Sequence, residues 1–285
     1  MADSVGMADL RAENVSKIVT GFALQEFVLK PLTAVQSSNS WKETFFRETA
    51  TELTGGLGSA VEGVPRLAQF PYGEVTWTEA SSRHKKHAME GQISWEDAKT
   101  NDIDVIARTL LRIARAVANS IDKEIYSDIT TNNGQTVATE AAWDAAVVAD
   151  RNPIQDILNG IKLISIQNYN PLNGKGWLLL NPKDYANLLG NQNVRNAGQF
   201  YTDDVTRNGR VGKLLGLNVA VSNVVDADEA AIIIAQESLT WKSAAGLTVN
   251  TIEDPGVKFT IRAWEVGTVQ QKNTNSVCVI TNTAA

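Results

Sequence analysis

The side chains best suited to acid–base or metal chemistry are two histidines, His84 and His87, which lie within the run Arg83-His84-Lys85-Lys86-His87. Imidazole is the usual general acid–base near neutral pH and a frequent metal ligand. A zinc site would need further ligands, and the sequence offers neither a cysteine nor a third histidine nearby. The run therefore predicts no metal centre. Its positive charges could bind nucleic acid, but such runs more often form a solvated face or pair with acidic neighbours.

Other sequence patterns for catalysis are also absent. The chain contains no G-x-G-x-x-G, Walker, G-x-S-x-G or H-E-x-x-H motif. The acidic stretches Asp203–Asp204 and Asp226–Glu229 could collect a cation, but acidic loops are usually solvated. The single cysteine, Cys278, excludes an internal disulfide and a cysteine-rich zinc site. We therefore predict no catalytic, cofactor-binding or metal-binding residue and no enzymatic activity. A carboxylate-dependent enzyme that uses the α/β lobe is the less favoured alternative.

Composition narrows the class of protein. The 285 residues carry 32 acidic and 26 basic side chains, a formal net charge of −6, and 43% of them are hydrophobic. That length allows one large domain or two smaller ones with a substantial core. A net acidic chain is not a bulk nucleic-acid binder. No apolar run approaches the ~20 residues of a membrane span, and the first residues lack the segments of a signal peptide. We expect a soluble protein, made in a reducing cytoplasm, that binds no membrane.

The strongest structural pattern is a long amphipathic helix. Ser94–Asp97 resembles a capping box, and no proline or glycine follows before position 134. Apolar side chains fall on one face at 100° per residue, and Arg108, Arg112 and Arg115 fall on the opposite face. From 94 to about 130, such a helix would be roughly 50 Å long, which suits a flat or extended subunit. The apolar positions are Ile103, Ile106, Leu110, Ile113, Val117, Ile121 and Ile125.

Two segments before this helix carry too little apolar surface for a core of their own. Residues 1–60 predict an extended arm with one short helix. Residues 61–94 predict a long β-hairpin that pairs a run at 75–78 with the run ending at 93. The arm contains Trp41, Phe45 and Phe46, three aromatics within six residues. Because a free tail rarely carries such a cluster, we predict that these side chains dock on a neighbouring subunit.

The rest of the chain predicts an α/β lobe followed by strands. Asn152-Pro153 and Asn181-Pro182 have the residue types of helix N-termini, and residues 191–213 predict a long exposed loop. The predicted fold class is α+β, one body with an inserted lobe and two appendages. Strands are expected at 177–180, 217–221, 231–235, 247–252, 257–266 and 276–281.

The order of these parts resembles that of tailed-phage major capsid proteins, the Hong Kong 97 fold. The stretches that carry the resemblance are ISWEDAKTNDIDVIARTLLRIARAVANSIDKEIY at 93–126, WLLLNPKDYANLL at 177–189, GRVGKLLGLNVAVSNVV at 209–225 and the closing FTIRAWEVGTVQQKNTNSVCVIT. The third contains the family's G-x-L-x-G-x-x-V pattern as Gly212, Leu214, Gly216 and Val219. The proline often found before the last strand is missing. No helical scaffolding segment precedes the arm, so we expect another chain to supply the scaffold.

The resemblance implies both a domain plan and a function. The function is that of a structural subunit whose pentamers and hexamers self-assemble into an icosahedral shell around double-stranded DNA, bound without sequence specificity. Portal, scaffolding and cement proteins are the expected further partners, and the expected location is the virion after assembly in the host cytoplasm. An encapsulin-like nanocompartment shell is the alternative. The implied regions are an N-terminal arm at 1–60, an extended hairpin loop at 61–94, a peripheral domain with a spine helix at 95–140, an axial domain at 141–240 and peripheral closing strands at 241–285.

In that family the hairpin loop lies over an adjacent subunit. The resemblance therefore implies that Arg83, Lys85 and Lys86 contact carboxylates there. Some members also join a hairpin lysine to an asparagine of a neighbour through an isopeptide bond. That reaction needs an uncharged amine shielded from water, and Lys85 and Lys86 lie in a polar run without apolar flanks. We predict a shell without covalent cross-links.

Overall fold

The computed structural model describes residues 12–47, 63–70, 78–100, 105–192, 194 and 212–285. The architecture is α+β, as predicted. The helices are α1 (Ala12–Glu26), α2 (Trp95–Thr100), α3 (Val105–Thr131), α4 (Pro153–Ile166) and α5 (Pro182–Gly190). The strands are β1 (Ala34–Ser37), β2 (Lys42–Arg47), β3 (Thr78–Arg83), β4 (Lys85–Ser94), β5 (Gln135–Ala138), β6 (Gly176–Leu180), β7 (Lys213–Leu214), β8 (Leu217–Val221), β9 (Glu229–Ile234), β10 (Leu239–Asp254), β11 (Lys258–Gln271) and β12 (Cys278–Thr281). Short 3-10 turns lie at Lys30–Leu32, Val148–Asp150 and Thr274–Ser276.

Helix α3, hereafter the spine helix, buries the apolar face that the sequence predicts. Its stripe from Ile106 to Ile125 is at most 5% exposed, while Arg108, Arg112 and Arg115 are exposed on the other side. The described helix has 27 residues, which corresponds to about 40 Å. The backbone N–H of Asp97 donates to Ser94 Oγ at 3.0 Å, as the predicted cap requires, but this cap begins the separate short helix α2. Residues 101–104, including Ile103, lie outside the described residues.

A four-stranded sheet of order β1-β10-β11-β4 covers the buried face of the spine helix. Strands β10 and β11 form a long antiparallel hairpin, β4 continues it antiparallel, and β1 adds to the other edge in parallel. Side chains alternate along a strand, so every second residue of β11 points at the helix. Phe259, Ile261 and Ala263 are accordingly buried in the same core as the spine stripe.

The predicted lobe contains a six-stranded sheet of order β5-β12-β9-β6-β8-β7. Both predicted N-caps are confirmed: Asn152 Oδ1 accepts from the Gln155 N–H at 3.4 Å, and Asn181 Oδ1 accepts from the Lys183 N–H at 2.9 Å. Strands β7 and β8 are joined through Leu215 and Gly216, which have φ values of 51° and 85°. Two successive positive φ angles are the geometry of a type I′ turn, which explains the glycine in the G-x-L-x-G-x-x-V pattern.

The last strand belongs to a different sheet from the one expected. The closing strands were predicted to form a single peripheral group, but β12 lies between β5 and β9 in the lobe sheet. The reason is that both faces of β12 are apolar. Val279 packs in the core of the spine helix, whereas Cys278 and Ile280 pack in a second core beneath α4. A strand buried on both sides needs a central position in a covered sheet.

The two predicted appendages are also connected differently. Strand β3 pairs with β2 of the arm, from Lys42 opposite Arg83 to Arg47 opposite Thr78, and β4 pairs with β11 of the body. The predicted pairing of 75–78 with the run ending at 93 is therefore wrong for Thr78, and residues 75–77 lie outside the described residues. Strand β4 carries Ile93 into the spine core, so it must join the body sheet. We call the β2–β3 pair the hairpin stem.

The first half of the arm is part of the body rather than an extended appendage. Helix α1 is longer than expected, and Val15, Val19 and Ala23 are fully buried against the spine core. These three positions follow a helical i, i+4, i+8 spacing, so one face of α1 is apolar and needs a partner. No helix within the described ranges is long and apolar enough to cross a membrane.

Candidate functional site

Two of the three arm aromatics lie on the surface of the subunit. Trp41 is 73% exposed and Phe46 is 55% exposed, whereas Phe45 is only 8% exposed. Successive side chains on β2 point to opposite faces, so Phe45 turns inward and Phe46 outward. The backbone position of Trp41 is fixed, because its carbonyl accepts the His84 N–H at 3.2 Å. The role predicted for Phe45 on a neighbouring subunit does not fit its burial within its own chain.

Further large apolar side chains are exposed in the same part of the chain. Val35 lies on β1. Leu67 and Phe70 lie in the described segment 63–70, which falls in sequence between the two strands of the hairpin stem. The sequence reasoning missed Leu67 and Phe70, although apolar residues within a Pro- and Gly-containing segment were visible there. Val35 belongs to the body sheet, and single exposed apolar residues are ordinary. Four large apolar side chains exposed on the arm and hairpin segments are instead typical of an interaction surface. We call Trp41, Phe46, Leu67 and Phe70 the hairpin apolar surface.

The basic run is divided between the surface and the interior. Arg83, Lys85 and Lys86 are exposed, but His84 and His87 are buried. Lys85 Nζ lies 3.6 Å from Glu124 Oε1 of the spine helix, and Lys86 Nζ lies 5.5 Å from the ring centroid of Trp264.

Lys85 and Lys86 thus contact residues of their own chain. Contact with an adjacent subunit stays a prediction for Arg83, Lys85 and Lys86.

A cluster of ionisable groups joins the spine helix to the region where the hairpin stem meets β4. We call this region the hairpin root. His87 Nδ1 forms a hydrogen bond with Ser120 Oγ at 2.8 Å, and its Nε2 lies 2.9 Å from Glu124 Oε2. Lys85 contacts the other oxygen of the same carboxylate. One turn further along the helix, Asp128 Oδ1 accepts from Asn132 Nδ2 at 2.7 Å.

Burial raises the pKa of Asp128 to about 6, an effect that Asn132, Arg47 and Lys85 oppose and that Glu124 reinforces. The carboxylate of Asp128 therefore faces cations from both β2 and β4, and that of Glu124 faces Lys85 of β4. Sequence reasoning missed both acids, because only the fold brings them to the hairpin root. We call Arg47, Lys85, His87, Glu124 and Asp128 the spine clasp.

A second buried cluster fixes the arm after α1. Asp122 of the spine helix accepts the backbone N–H groups of Val28, Leu29 and Lys30 at 2.8, 3.2 and 3.0 Å. Burial raises the pKa of this carboxyl group, and the three backbone hydrogen bonds oppose that rise. Three charge-assisted hydrogen bonds to one carboxylate hold the chain tightly.

The side chain of Lys30 extends this anchor to the sheet. Its Nζ lies 2.6 and 2.7 Å from the two carboxylate oxygens of Glu265, which is 1% exposed. Trp241 Nε1 donates to the same carboxylate at 3.0 Å. The lysine also lies 4.5 Å from the ring centroid of Phe27. This buried pair joins the arm to β10 and β11.

The contact between Ser38 and His84 does not have the arrangement of a nucleophilic triad. Ser38 Oγ lies 3.1 Å from His84 Nε2, but His84 Nδ1 has no hydrogen-bond partner and Glu43 contacts the serine instead. A nucleophilic triad needs an acid that orients the imidazole. Burial raises the pKa of the Cys278 thiol to about 12, so it is no nucleophile.

The described part of the chain also holds no group of three or more His, Cys, Asp or Glu residues arranged for a metal ion. Asp203 and Asp204 lie outside the described residues. Glu229, from the other acidic stretch, accepts a hydrogen bond from the Tyr126 hydroxyl at 2.8 Å. That contact gives Glu229 a structural role.

Comparisons with known proteins bear on the family and the fold of this chain. A family model described as "Phage capsid protein" matches residues 79–278. The fold is similar to the capsid of the cyanophage P-SCSP1u, with 13% identity, 90% of this chain and 88% of that chain covered, and a TM-score of 0.68. It is also similar to a virus-like particle from Pyrococcus furiosus, with 14% identity, coverage of 94% and 98%, and a TM-score of 0.64. A third similar structure is that of Mycobacterium phage Che8, with 18% identity, 88% of this chain and 96% of that chain covered, and a TM-score of 0.57. No curated protein matches the sequence significantly.

Proposed function

The chain belongs to the phage capsid protein family, and from that premise we propose that it is the major capsid subunit of a tailed virus. The subunit self-assembles into a closed icosahedral shell. Its role is structural, and we assign it no catalytic activity.

The observation that carries this proposal is the hairpin apolar surface. Trp41, Phe46 and Phe70 expose more than half of their area on parts of the chain that have no core of their own. Burial of one such side chain stabilises a contact by about 1.5–3 kcal/mol. Interfaces take most of their energy from a few buried aromatic anchors. A second copy of the chain is the occupant that a shell provides for every subunit.

The finer details of the assembly belong to the proposal as well. Pentamers and hexamers of this chain tile the shell, with portal, scaffolding and cement proteins as further partners. The packaged partner is double-stranded DNA, contacted without sequence specificity. Assembly takes place in the host cytoplasm, and the finished subunit resides in the virion. In this account Arg83 is the basic residue of the run best placed for a neighbour, because it is exposed and lies at the end of the hairpin stem.

A nanocompartment shell is the second candidate. It is favoured by one observation, the similarity of fold to the virus-like particle from Pyrococcus furiosus. Both candidates use the same exposed hairpin and the same self-assembly, and they differ in the cargo.

The test is to purify particles from the host that carries the gene and to examine them by electron microscopy and for their contents. We expect closed shells that protect double-stranded DNA from nuclease. Shells that contain a protein cargo and no nucleic acid would favour the nanocompartment. A protein that remains a monomer or small oligomer at all concentrations would contradict both candidates.

A further inference from the structure

The exposed face of the spine helix carries a straight row of polar and basic side chains. Arg108, Arg112, Arg115, Asn119 and Lys123 are all exposed. Their spacing of i, i+4, i+7, i+11 and i+15 places them within an arc of roughly 80° at 100° per residue. The row is about 22 Å long at 1.5 Å per residue. We call it the cationic stripe.

The stripe contains no carboxylate. Asp122 lies beside Arg115 and Asn119 in one pocket, but its carboxylate accepts three backbone N–H groups of the arm. Glu124 and Asp128 belong to the spine clasp. Arg115 pairs with Glu26 of α1 at 2.8 Å. Arg108, Arg112 and Lys123 form no ion pair with any residue that the structure describes. The whole chain has a net charge of −6, so a row of cations on one helix face, three of them without an acidic partner among the described residues, is not a consequence of overall composition.

The chemistry of the stripe favours a polyanion over another protein surface. Protein interfaces are built around buried apolar or aromatic anchors. The large apolar side chains exposed in the described ranges lie on β1, the hairpin, the lobe and the β10–β11 hairpin, and the stripe has none of them. Arginine and lysine side chains and the amide of Asn119 are instead the groups that contact phosphate oxygens in nucleic-acid complexes.

We infer that the cationic stripe of the spine helix is a contact surface for the phosphate backbone of the enclosed double-stranded DNA. This inference rests on the proposed shell function, which supplies the DNA. The contacts are electrostatic and carry no sequence preference, because contacts to phosphate oxygens do not read the base edges. Each phosphate that a stripe cation neutralises releases a counterion, so binding depends on salt.

The test compares two triple variants with matched changes in charge. Arg108→Gln/Arg112→Gln/Lys123→Gln removes the three stripe cations that have no acidic partner in the described part of the chain. Lys162→Gln/Lys175→Gln/Lys213→Gln removes three exposed lysines of the lobe. Electron microscopy first establishes whether wild type and both variants form shells. Fluorescence anisotropy then follows binding of a labelled 30-base-pair duplex to the full-length protein, kept below its assembly concentration, from about 50 to 200 mM salt.

We expect both variants to form shells. Across that salt range, affinity should fall about 40-fold more for wild type than for the stripe variant, because three contacts change the logarithmic slope by about 2.7. The lobe variant should match wild type. Equal slopes for the stripe variant and wild type, with shells intact, would overturn this inference alone. Failure of only the stripe variant to assemble would also overturn it, because the stripe would then be a subunit contact. Absence of shells from wild type would overturn the proposed function.

Discussion

The inner half of the N-terminal arm, residues 12–33, and its outer half, residues 34–47, meet the rest of the subunit in opposite ways. The inner half buries Val15 and Val19 in the spine core and is fixed by the carboxylate of Asp122. The outer half makes backbone pairs with β10 and β3 but leaves Trp41 and Phe46 exposed. One continuous segment thus completes the fold of its own subunit and offers a surface for another.

The difference teaches how a subunit remains folded alone and still assembles. The inner half uses interactions that are satisfied within one chain, including buried charges such as the Lys30–Glu265 pair. Such groups are costly to expose, so the inner half stays docked. The outer half leaves apolar side chains exposed in the single subunit, and in the proposed shell a second chain covers them. Substitutions in the two halves should therefore affect different measurements.

The largest effect on subunit stability is expected from Asp122→Ala. The substitution leaves three buried or half-buried backbone N–H groups without an acceptor. The expected loss in the free energy of unfolding is about 3 kcal/mol or more. Urea denaturation of the unassembled protein measures it, with Lys123→Ala, an exposed neighbour on the same helix, as control. A loss within about 0.5 kcal/mol, the range of ordinary surface substitutions, would show that the inner half is not anchored by this carboxylate.

The double variant Trp41→Ala/Phe46→Ala should have the opposite profile. Neither side chain belongs to the buried core, so the free energy of unfolding should change by no more than about 0.5 kcal/mol. Closed particles should be lost, because each subunit forfeits about 3–6 kcal/mol of apolar burial in its contact.

Sedimentation and electron microscopy measure the effect on assembly. Thr78→Ala/Glu79→Ala, on the paired strand of the same stem, is the control and should assemble normally. Normal particles from the double aromatic variant would break the comparison, because the outer half would then not be a subunit contact.

A smaller, pH-dependent effect is expected where the outer half meets the spine clasp. Burial raises the pKa of Asp128 to about 6 from an ordinary value of 3.8, so the folded subunit binds a proton there more tightly than the unfolded chain. The resulting stability is fully present below 3.8 and is lost as the pH rises through about 6.

Lowering the pH from 7 to 5 should therefore stabilise wild type by about 1 kcal/mol relative to Asp128→Asn. Urea midpoints at both pH values give the difference. Burial also raises the pKa of Asp184 to about 6, and its contribution cancels because both proteins retain it. The same pH dependence in wild type and Asp128→Asn would mean that Asp128 is not held in the clasp.

The last expectation is that no covalent cross-link forms between subunits. Lys85 and Lys86 lie on the surface, where the amine of Lys85 faces Glu124 and water rather than an apolar shield. We expect mature particles boiled in detergent to give a single band near 30.9 kDa. A ladder of multimers would show that the outer half is joined covalently to its neighbour, and Lys85→Arg and Lys86→Arg would identify the lysine.

The elements that could be predicted from the sequence are those determined by residues close together in the chain. The stripe from Ile106 to Ile125 repeats at the helical period, and the Asn-Pro pairs at 152 and 181 have the chemistry of helix N-termini. A chain-wide order of such parts was enough for the resemblance, which the family match confirms.

The parts that could not be predicted depend on contacts between distant residues. Asp122 binds a turn more than ninety positions earlier, and Lys30 and Glu265 are separated by 235 positions. No spacing along the sequence marks these pairs. The position of β12 was missed for a related reason, because a strand that is apolar on both faces fits several places and only the two cores on either side of it select one.

The most direct test of the central claim is a reconstruction of the assembled particle by cryo-electron microscopy at a resolution that shows side chains. The claim is that the outer half of the arm and the hairpin build the shell between subunits. We predict a closed shell in which Trp41 and Phe46 of each subunit are buried against a second copy, while Val15 and Val19 remain packed on the spine helix of their own. A shell in which Trp41 and Phe46 stay exposed to solvent would contradict the claim.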